Sequence, residues 1–227
     1  MQSGVDIIVP AGPGDHAWHG LLPQLAGTCA NRIVLALVDD DGVELESPPT
    51  NLHVSHGKAG RAIQLNSGAR ASESAWLWFL HADSRVTPVT LDAMQRFVDT
   101  DASAIGYFRL HFLDDGPRWT FLNGWGAFFR SRVLGLPFGD QGLLMPRRVY
   151  DALGGFDETV LAGEDHDLIW SARARGIPVR SIGAPIFTSA RKYAERGWWQ
   201  TTREHLGMTR EQARRFSRRH DQSLEQS

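Results

Sequence analysis

Cysteine is almost missing from this chain. Cys29 is the single thiol in 227 residues, which excludes an intrachain disulfide and a cysteine-built zinc site. A reducing compartment suits such a sequence. Long apolar runs are missing too. The most apolar stretch, residues 75–80, falls far short of the roughly 20 residues that cross a bilayer. The first ten residues lack the basic start and apolar run of a secretory signal. The expectation is a soluble, cytoplasmic protein. No sign of charge dominates: 24 Lys and Arg against 26 Asp and Glu leave a net charge of −2, which argues against a general nucleic-acid binder. The absent motifs exclude more. There is no Gly-Lys-Ser/Thr phosphate loop, no Rossmann glycine fingerprint, no zinc motif among the nine His and no Gly-x-Ser-x-Gly elbow.

What is present is ordinary globular material, 42% hydrophobic and 22% charged. A chain of this length buries about 70% of the surface its unfolded form exposes and needs no covalent staples. Neither a repeat nor a linker divides it, so one domain over 1–220 is expected. Its parts would be about 1–100, about 101–190 and a helical tail about 191–220, before a polar end at 221–227. Charge is uneven along it. Residues 191–227 hold nine Lys/Arg against five Asp/Glu, while residues 1–190 are net acidic. A basic tail on an acidic body reads as a solvated helix face, or as a contact with phosphate or the inner membrane surface.

Apolar patterning organises the chain. Residues 6–10 are a β-branched run stopped by Pro10, Gly12, Pro13 and Gly14, which predicts a buried first strand and a loop. Trp18, Leu21, Leu22 and Leu25 share one face of a helix over 16–26. Strands are expected at 33–38 and 52–54, a helix at about 60–71, and a fully apolar strand at 76–80 that suits the centre of a parallel sheet. Alternating strands and helices through residue 99 indicate βαβ units. Further on, the pattern gives a strand over 105–112, aromatics at helical spacing over 118–134 and a short strand at 143–144. A helix at 147–153 is closed by Gly154-Gly155, and another at 164–175 is ended by Gly176. A last strand at 179–182 precedes a mostly helical 193–219.

Three places carry polar groups suited to chemistry. Asp83 ends a buried strand, where a carboxylate can hold Mg²⁺ or Mn²⁺, and His81 two residues earlier can point the same way. An ordinary Asp in a turn reads equally well. Glu164 and Asp165 follow a glycine at a helix start, where acids complement the helix dipole or supply a general base. Residues 57–66, with Gly57, Lys58, Gly60 and Arg61 at a helix start, suit a phosphate or nucleotide. Trp119, Trp125, Trp198 and Trp199 read as core, with room for stacking on a sugar or base.

In this order the motifs resemble the family-2-type glycosyltransferases of the GT-A nucleotide-sugar fold, and within them a bacterial subgroup of small soluble members. The resemblance rests on Gly60-Arg61-Ala62-Ile63-Gln64-Leu65-Asn66-Ser67-Gly68-Ala69 and Phe79-Leu80-His81-Ala82-Asp83. It continues through Leu136-Pro137-Phe138-Gly139-Asp140-Gln141-Gly142, Leu153-Gly154-Gly155-Phe156, Glu164-Asp165 and Thr188-Ser189-Ala190-Arg191-Lys192-Tyr193. It implies an α/β fold with a mostly parallel central sheet flanked by helices and a helical C-terminal segment. It implies metal-dependent, inverting transfer from a nucleoside-diphosphate sugar to an acceptor hydroxyl.

By that resemblance Asp83 is the last acid of the metal-binding Asp-x-Asp motif, with His81 in the place of the first, and Mn²⁺ or Mg²⁺ is the implied cofactor. His205 is a second histidine that would be available to the metal. Asp165 matches the base, with Glu164 beside it. Asp39 or Asp40 falls near the nucleobase. Arg61, Gln64 and Asn66 fall on the donor, Arg191 and Lys192 on its diphosphate, and Asp140 and Gln141 on the acceptor side. One departure stands out: Ala11-Gly12-Pro13-Gly14-Asp15 replaces the family's Asn-Glu-type motif after the first strand, leaving Asp15 as the acid there. Two other readings follow from it, a non-catalytic binding protein on the same fold and, ranked lower, a sugar-phosphate nucleotidyltransferase.

Overall fold

The computed structural model describes residues 4–26, 28, 30–38, 48–113, 115, 137–160 and 163–189. The aromatic stretch 118–134, the segment 193–219 expected to be helical and the polar end lie outside the described residues. So do Cys29, Asp39, Asp40, Trp119, Trp125, Arg191, Lys192, Trp198, Trp199 and His205.

Seven strands make one sheet: β1 (Val5–Pro10), β2 (Arg32–Val38), β3 (Leu52–Gly57), β4 (Trp76–Phe79), β5 (Ile105–Phe112), β6 (Leu143–Pro146) and β7 (Val179–Thr188). Their order is β3-β2-β1-β4-β6-β5-β7. The pairs β1–β2, β2–β3, β1–β4 and β5–β7 are parallel, while β6 runs antiparallel to both β4 and β5. Strands from both halves of the chain therefore share one sheet. Its centre is apolar on both faces, since every residue of β1, β4 and β6 is buried. Successive side chains point to opposite faces, and this sorts the core into two clusters. Ile7, Ile33, Trp76 and Trp78 join one with Trp18, Leu21 and Met94, whereas Ile8, Val34, Leu77 and Phe79 join the other with Leu65, Tyr150 and Ile169.

The helices are α1 (Leu22–Leu25), α2 (Arg61–Arg70), α3 (Pro88–Asp99), α4 (Arg147–Leu153) and α5 (Glu164–Ala174). α2 lies close on the sheet at Gly68, where an added Cβ would sit 2.5 Å from Ile8 Cγ2. Asp6, buried in β1, accepts hydrogen bonds from the backbone N–H groups of Glu73 and Ser74 and from the Ser74 hydroxyl. A buried carboxylate so satisfied pins the turn before β4 to the central strand. Among the described residues no helix is long and apolar enough to cross a membrane.

β3 and β6 run a few residues past the expected 52–54 and 143–144, and two elements differ more from the sequence expectation. The helix expected over 16–26 is a 3₁₀ turn, Ala17–Gly20, followed by the single turn α1. Pro23 explains the break: it lacks an N–H and fits only a first helical turn, so a continuous helix through it is disfavoured. The last strand is also longer, running to Thr188 instead of stopping at 182. Gly183 at φ +82° takes up the register shift opposite Tyr107 and Arg109, and Pro185 is tolerated because β7 is an edge strand.

Candidate active site

The chain passes from β1 to β2 on one side and returns through α2 to β4 on the other. This puts a topological switch beside β1, and ligands on open α/β sheets gather there, outside the carboxyl ends of the strands. A cleft of about 730 Å³ occupies that place. The loop after β1 lines it with Pro10, Gly12, Pro13, Gly14, Asp15 and Ala17. The start of α2 contributes Gly60, Arg61 and Gln64, the turn after β4 contributes His81, Ala82 and Asp83, and the end of β7 contributes Ser189. The turn is closed by Ser84 N–H donating to the His81 carbonyl at 3.0 Å. Gly60 caps α2 with φ 140°, a conformation other residues rarely adopt, and brings no side-chain cap. The first N–H groups of α2 thus start at the cleft wall, where they favour an anion.

A small second cavity adjoins the first and shares Arg61 and His81 with it. Glu164, Asp165 and Gly139 line its far side. Glu164 begins α5 and is almost wholly buried, with its side chain 4% exposed. Its Oε1 meets Arg61 Nε at 2.7 Å, and the Arg61 side chain is 37% exposed. Asp165 keeps 16% exposure. Its Oδ2 accepts the backbone N–H of Gly139, and its Oδ1 accepts that of His166 at 2.9 Å. His166 is packed against Phe138, with ring centroids 4.0 Å apart. Gly139 separates Asp165 from His81: a Cβ built on it would lie 2.9 Å from His81 Nε2 and 3.1 Å from Asp165 Oδ2. The two side chains face each other across a residue that has none.

These surroundings push the two neighbouring carboxyls in opposite directions. Glu164 is held above the usual range, first by burial and then by the charge of Asp165, against the pull of Arg61. For Asp165 burial also acts upward. It is outweighed by His166, the Gly139 amide, Arg61 and the His166 amide, and the carboxyl ends below its usual range. Asp165 is therefore ionised at neutral pH.

The remaining expected residues are placed differently. Gln64 touches the cleft, but its Nε2 donates both hydrogens to backbone, to Ala11 O at 2.6 Å and Ala36 O at 2.8 Å. It ties the loop after β1 to the end of β2. Asn66 does not line the cleft. Its amide is taken up on the other face of α2 by Phe156 O, Glu158 Oε1, the Tyr150 hydroxyl and the Phe156 N–H. Asp140 and Gln141 lie in a 3₁₀ turn, Gly139–Gln141. Gln141 is buried, accepting from Phe138 N–H and donating to Phe108 O, so it braces this turn against β5 instead of facing either cavity. The sequence reading missed Ser189 as a cleft residue and the Gly139 amide as the partner of Asp165.

Among the described residues no three His, Cys, Asp or Glu cluster as a metal cage. Asp83 lines the cleft with His81 and offers the oxygen ligand that a hard divalent cation prefers, while His81 Nε2 is turned toward Gly139. Mg²⁺ and Mn²⁺ are commonly held by one or two protein ligands with the rest from water and substrate phosphates.

The model of the glycosyltransferase-like family 2 matches residues 38–216, most of the chain. The chain belongs to this family. A search of curated protein sequences returns no match. Among solved structures, S. aureus TarS superposes with a TM-score of 0.59 at 18% identity, over 82% of this chain and 36% of that one. TarS 1-349 in complex with UDP gives 0.58 at 18% identity, and the same fragment in complex with UDP-GlcNAc gives 0.60 at 18%. This chain spans 60% and 58% of those two fragments. The likeness confirms for this family member the mixed α/β, GT-A-type fold expected from the motifs.

Proposed function

We propose that this chain transfers a sugar from a nucleoside-diphosphate sugar to an acceptor hydroxyl, with inversion at the anomeric carbon. One observation carries the reading: the cleft at the β1/β4 switch shares Arg61 and His81 with a cavity lined by Glu164 and Asp165. A donor lying in the cleft would bring its anomeric carbon toward Asp165. The TarS complexes hold UDP and UDP-GlcNAc on the same fold, which supports a nucleotide sugar as donor here.

In the proposed reaction Asp165 takes the proton of the acceptor hydroxyl as its oxygen attacks the anomeric carbon. The bond from that carbon to the β-phosphate oxygen breaks, and its electron pair stays on the departing diphosphate. General-base help of this kind contributes about 10²–10⁴-fold. One base facing the site without a covalent nucleophile favours a single displacement, hence inversion. Arg61 supplies positive charge where the diphosphate gains negative charge. Asp83 and His81 would hold a divalent cation, Mn²⁺ or Mg²⁺, which when bound neutralises phosphate charge. Gln64 holds the loop Ala11-Gly12-Pro13-Gly14-Asp15 in place at the donor end. The basic segment after residue 190 would meet a phosphate-bearing or membrane-edge acceptor.

Asp165→Asn tests the assignment. Donor binding is expected to persist while release of nucleoside diphosphate in the presence of acceptor falls by about 10²-fold or more. Unchanged turnover in that variant would remove Asp165 from the chemistry.

A further inference from the structure

We infer that Glu164 is a positioning residue, which grips Arg61 by Nε so that the terminal guanidinium nitrogens meet the β-phosphate of a nucleoside diphosphate. This role rests on the cleft being the donor site. Two observations and the geometry of a guanidinium support it. The ion pair runs to Nε at 2.7 Å, and Glu164 is buried while Arg61 reaches the cleft. A guanidinium held at Nε keeps a fork of N–H donors in fixed orientation, and such a fork suits phosphate oxygens. Arg61 also lines both cavities, so it stands between the donor cleft and Asp165.

The position selects the phosphate. In the transfer proposed above, the bond that breaks joins the β-phosphate oxygen to the carbon attacked beside Asp165. The phosphate next to that bond must then lie nearest Glu164 and Asp165, which are adjacent in sequence. A cation fixed to Glu164 therefore meets the β-phosphate in preference to the α-phosphate. Glu164 would touch neither the sugar nor the proton in transit.

Calorimetry with UDP, GDP, ADP, CDP and dTDP identifies the diphosphate that the unaltered chain binds, and the matching monophosphate is the control. Arg61→Ala and Glu164→Gln are each expected to weaken the diphosphate by about tenfold or more, with the monophosphate changed by less than about twofold. The double variant should be no weaker than Arg61→Ala alone, because both remove one device. Arg61→Lys, at a partly exposed side chain, retains charge without the fork and should recover only part of the loss. If Glu164→Gln fails to fold, Glu164→Asp, whose shorter side chain draws the carboxylate back from Arg61 Nε, takes its place with the same expectation. Diphosphate preference unchanged in these variants, or an equal loss for both ligands, would overturn the role of Glu164 while leaving the donor cleft intact. If the unaltered chain binds none of the five diphosphates, the donor reading falls and this role with it.

Discussion

Asp165 Oδ2 accepts the backbone N–H of Gly139, and the missing side chain of Gly139 is the gap across which Asp165 faces His81. The glycine supplies both a donor that keeps Asp165 ionised and the room for the two groups to share one cavity. Gly139→Ala should therefore harm function more than folding. The new methyl would sit 2.9 Å from His81 Nε2 and 3.1 Å from Asp165 Oδ2, and one of them must move. Turnover should drop by about tenfold or more, since small displacements at a reacting centre are costly. The unfolding midpoint measured by circular dichroism should change by only a few degrees.

Gln64 gives the opposite pattern. Gln64→Leu leaves the Ala11 carbonyl without its side-chain donor, while the Ala36 carbonyl keeps the Ala11 N–H at 3.0 Å. An unsatisfied buried carbonyl costs about 1–3 kcal/mol, so urea unfolding should show a loss in that range. Nucleotide affinity should fall as well, because the loop after β1 loses its tether. A loss below about 1 kcal/mol would show that these bonds are replaced by others.

The strongest elements were legible in the sequence. The apolar run at 76–80 is β4, buried throughout, and the glycines at 154–155 and 176 close α4 and α5 at or near the expected residues. β7 runs on past residue 182 because an edge strand absorbs both Gly183 and Pro185. The division of labour on α2 was also readable in principle. At 100° per residue, Gln64 and Asn66 point about 200° apart, so one cleft cannot take both. No periodicity reveals that Arg61 meets Glu164, or that Gly139 lies between His81 and Asp165. Those contacts depend on how the turn before β6 and the start of α5 come together beside β4.

The raised Glu164 carboxyl makes stability depend on pH. Between the ordinary glutamate range and its raised value, the folded chain keeps a proton that the unfolded chain has lost, so stability falls as pH rises through that interval. Asp165 acts the other way and lower down. Its contribution is present above the ordinary aspartate range and is lost as pH falls through its depressed value. The charged neighbours of Glu164 are Arg61, Asp165 and His166. Glu164→Gln has no proton to release, so its unfolding midpoint relative to the unaltered chain should climb from about pH 4 upward. A constant difference across that range would mean that Glu164 titrates normally.

The central claim is that the cleft at the β1/β4 switch binds a nucleoside diphosphate beside Asp83, and its most direct test is calorimetric. UDP and GDP would be titrated into the natural chain and into Asp83→Ala, each with Mn²⁺ and with chelator. The expected result is binding of one nucleotide that weakens by about tenfold or more on chelation and equally on loss of Asp83. Binding of neither nucleotide, or binding indifferent to both metal and Asp83, would contradict it.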